Sequence, residues 1–372
     1  MKKKFLKQKS ISLILLIVFL PQLLQAQFSV LTHNQEAVIA PEVIQRMQQE
    51  YSYLNQEPTA RCFSSDFLRN KEQLCAAWDQ EPNSHAGRVT TDDGTSIPYT
   101  YFDRSSDKLI VVGPGLPVPQ QKMISYLKLF PDYDIITFDY RGQGFHVSHP
   151  YPVQPSKWFG TLLYQLFMFD LQITKLGLAE AQEVCAVVDQ ARIFKDYKKV
   201  FGVAQCYSAP IFVQAAYQQP GLFDKLILDG CWPSLTSVVR KIAQYPSLTC
   251  TTHNPRSWVP WLTQQEWFQD FVQKLTGFVA GVELDKALSL EEMLQKLDTP
   301  ILFFQGREDV YCSLETFYAI FQKSSQSSIA ILTDLPHGRN YLWGKEVFAA
   351  VSNAFFEYTV QGVLEMVKDK NH

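Results

Sequence analysis

The chain has 372 residues, of which 46% are hydrophobic and 19% charged, with a formal net charge of -3. That balance excludes a disordered chain and fits a globular protein with a sizeable core. With 34 Lys and Arg against 37 Asp and Glu, and no basic stripe beyond the extreme N-terminus, nucleic acid is not an expected partner.

Lys2, Lys3, Lys4 and Lys7 make a positive start, Ile11 to Leu20 an apolar run, and Pro21 to Ala26 lead to a small residue. This is the layout of a secretory signal peptide over residues 1–26, and it predicts export, periplasmic or secreted. The run is shorter than the roughly 20 apolar residues of a comfortable spanning helix. Leu24, three positions before the cut, leaves an uncleaved anchor as the alternative, and membrane contact is expected only through this segment.

Residues 27–85 read as a mainly helical extension, with Pro41 opening a helix ahead of Val43, Ile44 and Met47. From residue 86 strands begin, and the Asp93-Gly94 turn before Thr95 to Phe102 marks a hairpin. Short apolar runs follow: Leu109 to Val112, Ile135 to Phe138, Val200 to Val203, Leu226 to Leu228, Ile301 to Phe304 and Ile329 to Leu332. Runs apolar on both faces and spaced by helix-length stretches predict buried parallel strands joined by crossover helices. Leu178 to Tyr197 has helical periodicity and leads into Val200.

Two intervals are too long for a simple crossover: the aromatic stretch 150–177, and 231–298 with Trp232, Trp258, Trp261 and Trp267. The second lies between two expected core strands and is read as a cap insertion. The core is thus expected in two parts, 86–230 and 299–368. Seven cysteines leave at least one thiol free in an oxidising compartment. Cys62 with Cys75, and then Cys231 with Cys250, are the expected bridges. No Cys or His spacing suits a metal, and His146 and His149 have no third ligand beside them.

Four motifs follow expected strands in a fixed order. Gly113-Pro-Gly-Leu-Pro117 is a glycine-rich turn in which the N–H of Leu116 is a candidate oxyanion donor. Phe138-Asp-Tyr-Arg-Gly-Gln-Gly144 is the second, with Asp139 and Arg141 read as scaffolding. Val203-Ala-Gln-Cys-Tyr-Ser-Ala209 is the third, with Cys206 between a strand and a helix N-terminus that favours a thiolate. Small Ala204 and Ser208 flank it at two residues, and the N–H of Tyr207 is the second candidate oxyanion donor. The fourth has two parts, Gly306-Arg-Glu-Asp309 and Leu335-Pro-His337-Gly. Asp309 would orient His337, which would act as general base; Glu308 and Asp229 are the reserve acids.

Together these motifs resemble the α/β-hydrolase superfamily over residues 86–365. The resemblance implies an α/β-hydrolase fold: a mostly parallel central sheet flanked by helices, with a helical cap inserted between two core strands. The order nucleophile, acid, histidine is that of the superfamily, and Cys206 stands where most members carry serine. The chain is similar to dienelactone hydrolase in its choice of nucleophile alone. The resemblance implies a Cys206–Asp309–His337 triad acting on a small-molecule or acyl substrate through a thioester, with no cofactor and no metal. An ester, thioester or lactone hydrolase is the leading expectation. An acyltransferase using the same thioester, or an inactive binding protein on this fold, are the alternatives, the last favoured by alanine and serine where the turn usually has glycines.

Overall fold

A computed structural model of the protein describes residues 27–56, 71–115, 118–144, 177, 179–234, 236–237, 240, 264–280 and 289–368. The signal segment, Cys62, Leu116, His146, His149, Cys250 and most of the two long aromatic intervals lie outside these residues.

Ten strands form one sheet. In chain order they are β1 Phe28–Leu31, β2 Glu36–Val38, β3 Ser84–Thr90, β4 Ser96–Phe102, β5 Lys108–Gly113, β6 Asp134–Phe138, β7 Lys199–Gln205, β8 Lys225–Asp229, β9 Ile301–Gly306 and β10 Ile329–Thr333. Their order across the sheet is β2-β1-β10-β9-β8-β7-β5-β6-β4-β3. The six strands from β10 to β6 are parallel, and the two pairs of edge strands are antiparallel. All six apolar runs read from the sequence are these parallel strands. The hairpin turns at Gly94, whose φ of +82° suits glycine.

Alternation along the strands splits the core in two. Leu109, Val111, Phe303 and Leu332 face one side, where they meet α4 Glu180–Phe194, α5 Ser208–Gln218, α7 Leu290–Leu294 and α8 Leu314–Phe321. Ile110, Val112, Phe304 and Ile331 face the other, against α1 Pro41–Glu50, α2 Lys71–Asp79, α3 Ile124–Leu129, α9 Asn340–Trp343, α10 Lys345–Glu357 and α11 Val360–Lys368. Both faces of the parallel strands are covered, which is why their sequences are apolar throughout. The remaining helix, α6 Glu266–Ala280, and α7 fall between β8 and β9, within the interval expected to form the cap.

Within the 27–85 segment, expected to be mainly helical, two short strands come before the helices. Phe28–Leu31 pairs antiparallel with β10 and Glu36–Val38 pairs with β1 before α1 begins. Phe28 and Val30 enter one core layer and Leu31 the other, so this short run completes both. The hairpin then starts at Ser84, two residues before the expected boundary.

Candidate active site

The parallel strands all deliver their C-terminal ends to one edge of the sheet, where open α/β sheets bind ligands. Cys206 follows β7, Asp229 ends β8, Asp309 follows β9 and His337 follows β10. The fold therefore gathers residues more than a hundred positions apart in sequence.

Between β7 and α5 the chain reverses in two residues. Cys206 takes φ +51°, the left-handed region that costs a non-glycine residue about 1–2 kcal/mol. Its N–H donates to the Asp229 carbonyl at 2.8 Å, which ties the turn to the neighbouring strand. The residue is half-buried and its thiol is free. Tyr207 follows at the start of α5, and its N–H makes no hydrogen bond among the described residues. Leu116, the other expected oxyanion donor, lies outside them.

The flanking residues fit without glycine. Ala204 and Ser208 are both fully buried. The Ser208 hydroxyl donates to the Pro114 carbonyl at 2.6 Å and accepts from the Tyr140 hydroxyl at 2.9 Å. That fixes Ser208 in the scaffold. The glycine is at the end of the neighbouring strand instead: a Cβ on Gly113 would lie 2.4 Å from Phe212 Cε2 and 2.7 Å from Ser208 Cβ.

His337 donates from Nδ1 to Asp309 Oδ2 at 2.7 Å. Three further donors hold the Asp309 carboxylate: the N–H groups of Tyr311 at 2.9 Å and Cys312 at 3.1 Å, and Gln305 Nε2 at 2.9 Å. Burial opposes a charge on His337. The charges of Cys206 and Asp309, with side-chain hydrogen bonds to both, outweigh it and hold the imidazole's proton affinity well above the ordinary range. Cys206, Asp309 and His337 thus come together at this edge of the sheet.

The reserve acids are placed elsewhere. Glu308 is exposed. Asp229 is fully buried, and burial raises its pKa to about 6. Its Oδ1 accepts from Asn340 Nδ2 at 2.7 Å. The next residue, Gly230, lets the His337 ring approach: at φ +73° a Cβ there would meet His337 Cε1 at 2.9 Å.

Asp139 and Arg141 brace the loops around the site. The Asp139 carboxyl accepts from the Gln120 N–H at 2.7 Å and Gln120 Nε2 at 3.1 Å, and burial raises its pKa to about 7. Arg141 pairs with Glu183 of α4 and with Asp93 in the hairpin turn.

Several residues around the pair were not singled out in the sequence. Trp232 is 3% exposed, and its indole N–H donates to His337 Nε2 at 3.4 Å. Tyr311 packs edge-on against the same imidazole at 4.8 Å between centroids. Gln205 Nε2 donates to the Gly338 carbonyl at 3.0 Å, joining the strand end beneath Cys206 to the His337 loop. Trp232 carried one weak signal, its place three residues past Asp229 at a strand end. Gln305 and Gln205 carried none, because a polar residue at a strand end looks like any other.

Cys231 is buried with its thiol free, and Cys250, its expected partner, lies outside the described residues. Burial pushes the Cys231 and Cys312 thiols up. No cluster of three His, Cys, Asp or Glu side chains with metal-binding geometry occurs among the described residues. No described helix is long and apolar enough to cross a membrane.

No protein-family model and no curated protein matches the sequence. Solved structures do match in fold. The Pyrococcus furiosus esterase Pf2001, in two crystal forms, superposes with TM-scores of 0.53 and 0.54 at 14% identity, over 74% of this chain and 93% and 91% of the esterase. An esterase from Exiguobacterium antarcticum aligns at 16% identity and a TM-score of 0.48, over 74% of this chain and 100% of that one. The three-layer arrangement and the likeness to Pf2001 establish that this chain has the α/β-hydrolase fold.

Proposed function

We propose that the protein is an exported hydrolase of carboxylic esters, thioesters or lactones that works through Cys206, Asp309 and His337. The observation that carries this reading is a free thiol in a left-handed strand-to-helix turn, acting directly on a histidine whose far nitrogen is 2.7 Å from a buried carboxylate. The fold likeness to the esterase Pf2001 supports the reaction class.

The chemistry follows from the groups present. His337 Nε2 takes the Cys206 proton, and Sγ adds to the substrate carbonyl carbon. The Tyr207 and Leu116 N–H groups hold the resulting oxyanion. Collapse breaks the bond to the alcohol or thiol, which leaves with the proton from His337, and an acyl thioester remains on Cys206. His337 then takes a proton from water as the hydroxide adds to that carbonyl. A second collapse frees the carboxylic acid, and the thiolate recovers the proton. Asp309 keeps the ring oriented and offsets its transient charge. A thiolate is a good nucleophile and a good leaving group, which suits activated carbonyls over unstrained amides.

Selective labelling tests the reading. An electrophilic thiol probe is expected to modify Cys206 saturably in the mature protein, and the modification is expected to disappear in His337→Ala. Labelling of Cys206 that is unchanged in His337→Ala refutes the pairing. Export through residues 1–26 is checked separately by fractionation, with recovery of unprocessed protein in the cytosol as the contrary result.

A further inference from the structure

Two donors compete for one lone pair beside Cys206. His337 Nδ1 donates to Asp309, so Nε2 is the nitrogen that must receive the thiol proton. The same Nε2 accepts the indole N–H of Trp232 at 3.4 Å. Indole nitrogen is a donor only, and an imidazolium has no lone pair left to accept it. The Trp232 contact therefore belongs to the neutral imidazole and the neutral thiol, whereas the ion pair of thiolate and imidazolium needs Nε2–H pointing at Sγ. Trp232 is well fixed: it is 3% exposed, with its ring 6.0 Å from that of Tyr207 and 6.5 Å from that of His337.

We propose that Trp232 is a positioning residue whose indole N–H opposes protonation of His337 at Nε2, so that Cys206 gives up its proton less readily than the charges around the ring alone would dictate. The proposal rests on the Cys206–His337 reading above and adds what restrains that pair. The other groups that bear on the ring are Asp309 and Tyr311 from the loop after β9, and Asp229 from the end of β8. Arg339 follows His337 on its loop and Tyr341 lies in the first turn of α9, and both act electrostatically around it, Tyr341 on Cys206 included. None of these is altered by replacing the indole with a phenyl ring.

The test is Trp232→Phe, which keeps an aromatic ring and removes the N–H. Thiolate absorbance and the rate of alkylation by iodoacetamide at Cys206, read by mass spectrometry, are followed against pH. The apparent midpoint of the Cys206–His337 pair is expected to fall by about half a unit to one unit, the equivalent of one hydrogen bond. Alkylation below the midpoint should rise about three- to tenfold in proportion. In a His337→Ala background the same substitution is expected to change nothing. An unchanged or raised midpoint in Trp232→Phe, with the His337 dependence intact in the parent, overturns the proposal and leaves the functional reading standing. A midpoint in the parent that ignores His337→Ala overturns that reading itself, and the proposal with it.

Discussion

Asp309 and Cys206 each sit in the turn after a parallel strand, yet the chain holds them in different ways. Asp309 is fully enclosed and accepts from two backbone N–H groups, an amide side chain and His337. Hydrogen bonds to a charged acceptor contribute about 1.5–3 kcal/mol each, so its position is over-determined. Cys206 is tethered mainly through its backbone, its N–H on the Asp229 carbonyl and its own carbonyl accepting from the Ala209 N–H at 3.1 Å, and it keeps a left-handed backbone that unfavourable sterics oppose. Asp309 is locked by its own partners, while Cys206 is locked by its neighbours' shapes: Ala204 and Ser208 within the turn, and Gly113 opposite. The space usually gained by a glycine in the turn is supplied here from across the gap. That removes the argument that alanine and serine in this turn mark a damaged site.

The largest expected effect falls at Cys206. Cys206→Ala is expected to lower ester hydrolysis by about 10⁴-fold or more while leaving the urea unfolding midpoint unchanged, because the loss is chemical. Asp309→Asn comes next. It is expected to cost about 10²–10⁴-fold in kcat, since a carboxamide has one oxygen and cannot accept both from His337 and Gln305 and from the Tyr311 and Cys312 N–H groups. Steady-state kinetics with a nitrophenyl ester read both.

The third prediction concerns the buried Asp229 beside the nucleophile turn. Its folded-state pKa of about 6 lies above its ordinary value of 3.8. The protonated form is therefore the one the fold prefers. Its contribution is complete below about pH 4 and is lost as the pH rises through about 6. The change amounts to about 3 kcal/mol for a shift of this size. Asp229→Asn, which keeps an acceptor for Asn340, should flatten the decline in unfolding free energy between pH 4 and 7. A slope equal to that of the parent contradicts the assignment.

The smallest effect sharpens the point about shape. Gly113→Ala is expected to lose about 1–3 kcal/mol by overpacking against Phe212 and Ser208, measured by urea unfolding. Ser208→Gly in that background should recover part of the loss, whereas strictly additive effects would mean that the end of β5 and the start of α5 do not share the space.

Much of this architecture was legible because parallel strands covered on both faces must be apolar throughout. The six runs from Leu109 to Leu332 are all strands of the sheet, and the order Cys206, Asp309, His337 located the convergence at its edge. The first strand was missed because Phe28–Leu31 is only four residues and gains its meaning from β10, some 300 residues later. Trp232, Gln305 and Gln205 were missed for a related reason: each acts through a hydrogen bond to a loop distant in sequence, and neither periodicity nor composition records such a bond. Cys231 sits at a buried strand end with its thiol free, where a cysteine behaves as a small apolar residue.

The central claim is that substrate becomes bonded to Cys206. Mixing the protein with a slowly hydrolysed ester, quenching in acid and weighing the chain by mass spectrometry measures that bond directly. The account predicts an added mass equal to the acyl group, mapped to the peptide carrying Cys206 and absent in Cys206→Ala. Ester hydrolysis that continues in Cys206→Ala, with no acyl adduct in the parent, contradicts it.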